Sequence, residues 1–420
     1  VTNRYAFLRP LLAADQSWAA IDLVLAPPAA SAAKSDQPPP EAFPTSFFPS
    51  DFIAAFGPGK AARWPVLART VQPEAIDGDP VPPPKGYGLG APLTPFFIPL
   101  RPEQADGQRT AALTQAGLGS ALWHSDALSF QALVDGQFAG ITADVVDAHL
   151  AREAISPHLL LHFREEGRPL VGLQVTNRNL FDWCAARGFT LLSAEFISRS
   201  ETDPNAPTDP TKLKLLRLLS LVVQDAPTQD LEEVFRGEPK LLYNLLRLVN
   251  SVSVGSPSKV SSLSQALMLL GRRQLQRWLQ LLIYANQFSQ AHQQPNPLLK
   301  QAAYRGSLLE GLLHDAIAER GAEECPDCAY MVGVFSLLPT LLHLPMADIL
   351  VNLPLPDEVG RGLLEGDGTL GWGLALIAAA EQGRFDEASA ALGKAGVAPE
   401  TWLRIQQQAF GWTSQLAVDN

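Results

Sequence analysis

The stretch whose reading decides the fold of the second half of the chain is LLYNLLRLVNSVSVGSPSKVSSLSQALMLLGRRQLQRWLQLL, Leu241 to Leu282. Its apolar residues recur at helical spacing. Pro239 sits just ahead of Lys240–Val249, where the first turn of a helix tolerates a missing N–H. Asn250 and the nearby serines can hydrogen-bond the backbone of a loop after that helix. Ser262 and Gln265 then have capping-box spacing before a second apolar run. Gly271 interrupts that run, and Leu275, Trp278, Leu279, Leu282 and Ile283 follow i, i+3, i+4, i+7, i+8 spacing, one buried helix face.

Working outward, the same periodicity holds on both sides. Thr228 is placed to cap Gln229–Arg236, which Gly237 closes. Further helices are predicted over Leu298–Arg320, Ala329–Leu342 and Leu370–Gln382. Upstream the pattern ends at Ser200–Pro210, a polar segment with three prolines in which Asp209–Pro210 makes a good helix start. This boundary divides the chain into residues 1–203 and 204–420, with no internal repeat.

The first part reads differently. About half of the prolines fall within its first 110 residues, and Ala26–Pro49 and Pro73–Pro95 are predicted as loops. Phe47, Phe48, Phe52 and Phe56 suggest that part of this region packs. Strands are predicted over Thr94–Leu100, Gly119–Trp123, Phe138–Val146, Pro169–Thr176 and Phe189–Ile197. They alternate with helices over Gln108–Ala116, Leu159–Gly167 and Asn179–Gly188. Such alternation argues for a parallel α/β layout.

The whole-chain totals bound the function. At 420 residues the chain is long enough for two or three cores, and 46% hydrophobic with 18% charged residues is a globular balance. A formal net charge of −11 argues against a general nucleic-acid binder. No apolar run reaches membrane-spanning length: Leu213–Val223 is broken by Lys214 and Arg217. Val1–Arg9 lacks the apolar core of a signal peptide, and three cysteines are too few for a disulfide framework. The default expectation is a cytoplasmic protein without membrane insertion.

The Leu241–Leu282 string resembles the core of HDOD domains, whose pattern is a helix ending in LL-x-LVNSA, a glycine-containing loop, an SSL-x-x-AL-x-x-LG segment and another helix. YAFLRPLLAADQSWAAIDLVLA (Tyr5–Ala26) and QVTNRNLFDWCAARGFTLLSAEFISRS (Gln174–Ser200) resemble, more distantly, the first and last barrel units of a degenerate EAL domain. The resemblance implies a degenerate EAL-like (β/α) barrel over 1–203 followed by an HDOD helical bundle over 204–420. That is an α/β plus all-α architecture used in bacterial signalling.

The chemistry the two families would need is largely missing. An active EAL domain holds divalent cations on carboxylates and hydrolyses cyclic di-GMP. Carried onto this chain, its signature glutamate falls at Asp22 and its strand asparagine near Pro99. Its Asp–Asp pair falls at Trp123 and His124, and its Lys–Ile–Asp segment at Thr142, Ala143 and Asp144. Its late Glu–Lys pair falls at Leu173 and Gln174, and a later glutamate at Thr176. Only Asp22 and Asp144 remain acidic. The His–Asp pair of HD-type hydrolases falls at Ser336–Leu337, which replaces neither metal ligand. The resemblance therefore implies no metal, no cofactor and no catalysis, and instead a scaffold for signalling proteins. A non-hydrolysing cyclic dinucleotide receptor and a residual phosphodiesterase or phosphohydrolase are the alternatives.

Several other features invite a sharper reading than they carry. His314–Asp315 is a literal His–Asp pair one helix too early, and is expected to be ordinary helix surface. Cys325 and Cys328 have C-x-x-C spacing without a second ligand pair, so an interhelical turn is favoured over an adventitious metal or a regulatory disulfide. Asn250 is either a loop-stabilising residue or a binding residue. Arg272, Arg273 and Arg277 are either a solvated edge or a docking site for an acidic partner or nucleotide. Trp278, Phe335 and Trp372 are expected in the core.

Overall fold

The computed structural model describes residues 5–26, 66–70, 96–115, 118–124, 138–198, 226–237, 280–284, 297–314, 326–351 and 355–414. It also describes residues 220–221, 224, 242–243, 246, 262, 264–265, 273, 276–277, 353 and 416. Two compact units emerge. One comprises residues 1–196 with 379–408; the other comprises 197–378 with 409–420. The linear division at 203/204 read from composition thus differs from the contacts in where residues 379–408 go.

The first unit contains a closed eight-stranded barrel in sequence order. Its strands are β1 (Tyr5–Leu12), β2 (Trp18–Ala26), β3 (Val66–Thr70), β4 (Phe96–Leu100), β5 (Gly119–His124), β6 (Ala143–Asp147), β7 (Leu170–Leu173) and β8 (Leu191–Ser193). β1 runs antiparallel to β2 and β8, and the remaining neighbours are parallel. The expected strands are present, all but β5 shorter than read, and β3 lies in a region given no strand from the sequence. The Phe189–Ile197 strand ends at Ser193 and gives way to a short 3-10 turn, Glu195–Ser198.

One apolar cluster draws on every strand: Leu11, Ala20, Leu67, Phe97, Ala121, Val145, Leu173 and Leu191 are among its members. It marks the barrel interior, and alternation along each strand then assigns the remaining side chains to one face or the other. Helices α1 (Gly107–Gln115), α2 (Ala148–Ala154), α3 (Pro157–Glu166) and α4 (Arg178–Ala186) follow β4, β6 and β7. Two have side-chain caps: Asp147 accepts from the Nα of His149 and Leu150, and Asn177 accepts from Leu180.

The second unit is helical. α5 (Thr228–Gly237) matches the expected helix, and α6 (Pro297–Leu312) covers most of Leu298–Arg320. The expected Ala329–Leu342 helix is two pieces, α7 (Pro326–Phe335) and α8 (Leu338–Leu342), because Ser336–Leu337 turns the chain and Pro339 fits only an early helical position. α9 (Met346–Val351), α10 (Asp357–Leu364) and α11 (Gly368–Glu381) follow, whereas α12 (Phe385–Lys394) and most of α13 (Pro399–Ser414) belong to the first unit.

α6 and α7 cross on glycine. A Cβ on Gly333 would stand 2.6 Å from the Gly306 Cα and from the Arg305 carbonyl oxygen, so the two backbones meet where no side chain intervenes. Tyr284 Oη donates to the Val334 carbonyl at 2.6 Å beside this crossing. Phe335 is fully buried, but Trp372, expected in the core, is only partly so. Among the described residues no helix is long and apolar enough to cross a membrane.

Candidate functional site

The site the resemblance directs attention to is the barrel, and its most informative residue is one the sequence reading passed over. Arg9 lies opposite Asp22 in the β1–β2 register. Both side chains share the parity of Leu11 and Ala20, the interior face. The guanidinium reaches Asp22 Oδ2 through Nη2 at 2.6 Å and Nε at 3.2 Å. Nη1 donates to Glu195 Oε1 at 2.9 Å, just past the carboxyl end of β8. It also lies 3.4 Å from the Glu381 carbonyl, and the Phe385 ring stands 5.1 Å from Cζ. Ser193 Oγ donates to Glu195 Oε2.

All members of this cluster are buried: the side chains of Arg9, Asp22 and Glu195 are 9%, 0% and 3% exposed. Burial works against the charge on Arg9, but the attraction of Asp22 and Glu195 outweighs it and holds its pKa above the ordinary arginine value. The Asp22 carboxylate, which the resemblance would equate with the EAL signature glutamate, is therefore neutralised by a fixed guanidinium. A divalent cation would meet that positive charge, so these residues do not fit the metal the fold family implies.

Asp144 fails the same test for a different reason. Ala143 and Val145 belong to the interior cluster, so Asp144 lies on the opposite strand face, as do Leu122 and His124. There it is fully buried against His124 Nε2 at 2.9 Å and Arg168 Nε at 3.4 Å, and the His124 ring packs edge-on against Phe163 of α3. The two residual carboxylates are on opposite sides of the barrel wall and cannot share an ion. Of the other positions carried over, Pro99 is buried in β4 and Trp123 faces the interior. Gln174 has a left-handed backbone at φ 59°, and Thr176 Oγ1 lies 3.0 Å from His149 Nε2.

In the helical unit, Ser336 accepts from Arg305 Nη1 at 2.9 Å and donates to the Gly333 carbonyl at 2.7 Å, while Leu337 is buried. The arginine–serine link at the position where the resemblance would put a His–Asp pair offers neither an imidazole nor a carboxylate to a metal. Among the described residues no three His, Cys, Asp or Glu side chains come together as a metal site would require. His314 is exposed, as expected, and Cys328 is buried. Asp315, Cys325, Asn250, Arg272 and Trp278 lie outside the described residues.

The basic cluster is modified by its surroundings. Arg273 Nε sits 2.5 Å from Asp327 Oδ1, and Arg277 Nη2 pairs with Glu310 and lies 3.5 Å from Asp327. The Arg277 guanidinium also covers the Tyr330 ring at 4.6 Å. Burial opposes its charge, yet the Glu310 hydrogen bond and charge raise its pKa above the ordinary value. Arg273 and Arg277 are thus brought together around the Glu310 and Asp327 carboxylates.

Comparison with known proteins agrees with the helical half. Residues 207–348 match the HDOD domain family. The uncharacterized protein YuxH of Bacillus subtilis is 26% identical over 217 residues, 51% of this chain and 52% of its own length. The cyclic di-GMP phosphodiesterase CdgJ of Vibrio cholerae is 27% identical over 207 residues, 49% of this chain and 46% of its own. The match thus spans about half the length of each relative. A solved structure from Shewanella amazonensis aligns with 54% of this chain and 99% of its own at 16% identity, with a TM-score of 0.33. Residues 207–348 are thus similar to HDOD domains, and the chain also contains a closed eight-stranded barrel.

Proposed function

We propose that this is a cytoplasmic signal-transduction protein that acts by binding rather than by catalysis, a degenerate EAL-like barrel joined to an HDOD domain. The observation that carries the reading is the Arg9–Asp22–Glu195 cluster: the carboxylate best placed to begin a metal centre is committed to an internal cation. Similarity to a cyclic di-GMP phosphodiesterase over about half its length supports a place in cyclic dinucleotide signalling. Its partners on this reading are signalling proteins, and no nucleic acid is involved. A cyclic dinucleotide held without hydrolysis is the second reading, favoured by the retained barrel.

The test is a hydrolysis assay on the full chain with cyclic di-GMP and magnesium or manganese, products resolved by chromatography. No linear dinucleotide should form. Turnover that disappears in Asp22→Ala or Asp144→Ala would overturn the proposal. A calorimetric titration of the same nucleotide distinguishes a receptor, which releases or absorbs heat without product, from a scaffold for proteins alone.

A further inference from the structure

Beyond residue 348, where the HDOD match ends, the helical unit carries an open groove of about 660 Å³ between α9 and α10. Leu350, Leu353, Leu355 and Leu364 line it, together with the charged Asp357, Arg361 and Glu365. Two large apolar side chains here are left in water: Val351, the last residue of α9, is 83% exposed and Leu364 is 50% exposed. Both are among the few large hydrophobics exposed in the described residues. α10 stops at Leu364, and Gly366 then takes a left-handed turn at φ 66°, leaving the leucine at the helix end.

The charge around this groove is one-sided. Residues 346–368 contain Asp348, Asp357, Glu358, Glu365 and Asp367 against Arg361 alone, and all six are exposed. Arg361 stands 4.0 Å from Asp367 Oδ2 with both side chains about three-fifths exposed, an ion pair too solvated to offset the excess. An apolar floor with an acidic rim selects a ligand of complementary pattern. A small apolar molecule would fill the floor but leave Val351, Leu364 and the carboxylates unmatched. A helix with aliphatic anchors on one face and lysine or arginine beside them matches all three.

We infer that the α9–α10 groove docks a short basic amphipathic helix of a partner protein. The leucines take anchors at i, i+3, i+4 and i+7, and the carboxylates give the complex its charge preference and salt sensitivity. The inference stands whether or not the barrel is catalytic, because none of its residues belongs to the barrel cluster.

The test uses the full chain and labelled peptides of about fourteen residues, read by fluorescence anisotropy. One peptide carries leucine at i, i+3, i+4 and i+7 with lysine elsewhere. A second replaces lysine by glutamate, and a third scrambles the first so that no leucine face forms. The first should bind saturably, the other two at least about tenfold more weakly. Leu364→Glu should weaken the first peptide by a similar factor, and the double variant Asp357→Lys, Glu365→Lys should shift preference toward the glutamate peptide. These side chains are exposed, and an unchanged far-UV spectrum verifies the fold. Equal binding of the scrambled peptide, or undiminished binding by Leu364→Glu, would overturn the inference. So would concentration-dependent self-association abolished by Leu364→Glu, which would make a second copy the occupant.

Discussion

Arg9 and Arg277 are built alike and valued differently. Each guanidinium pairs with two carboxylates and lies against an aromatic ring, Phe385 for Arg9 and Tyr330 for Arg277. In the barrel, none of the three charged side chains is more than 9% exposed; in the helical unit Arg277, Glu310 and Asp327 are 19%, 22% and 43% exposed. The difference teaches that a cluster's geometry says little until its solvent exposure is known. In the barrel the charges are cut off from water and each depends on the others. In the helical unit water can take over from a missing partner.

Removing the buried arginine should have the largest effect. Arg9→Met leaves Asp22 and Glu195 facing each other without a counter-ion, and breaking such a set costs about 3–5 kcal/mol. Urea unfolding should show this as a lower midpoint, and a loss below about 1 kcal/mol would mean that water reaches the cluster. Next comes the helical unit's own dependence, which is steric. Gly333→Ala should cost about 1–3 kcal/mol because the new methyl meets backbone rather than a yielding side chain. Gly360→Ala, whose Cβ would meet nothing within 4 Å in mid-helix, should instead stabilise by up to about 1 kcal/mol; a similar melting shift for both would refute the glycine crossing. The smallest effect belongs to Arg273→Ala, about 0–1 kcal/mol and diminishing with added salt, since this side chain is 59% exposed.

The barrel and the helical half were legible to different depths. Strands β4 to β7 and helices α1, α3 and α4 follow from alternating apolar runs and helical spacing. β3, VLART, lies between the two proline-rich stretches that read as loops, and no strand is predicted there. α9, α10, α12 and α13 fall in sequence that reads as helical without individual bounds, the first two being only six and eight residues long. The barrel cluster left one readable trace. Arg9 and Asp22 are the lone charges in two otherwise apolar strands, and a short turn between those strands brings them opposite one another. Glu195 carried no such signal, because only closure of β8 onto β1 brings it to Arg9. Likewise, the sequence placed Asp144 on a strand without revealing its face. A register change of one residue exchanges interior and exterior.

Near the start of β1, where β8 makes no pairing, the side-chain amide of Gln406 does a strand's work. Its Nε2 donates to the Ala6 carbonyl at 2.7 Å and its Oε1 accepts from the Leu8 amide at 2.9 Å. Tyr5 Oη adds a bond to the Val397 carbonyl at 2.7 Å. These contacts join residues separated by about 390 to 400 positions. On a ribosome adding about 5–20 residues each second, the first strand is complete at least about twenty seconds before its partner exists. The helical segment between them is made in that interval, and loop-closure entropy grows only slowly with its length. The Gln406 contacts to β1 can therefore form only after the chain between them has been made.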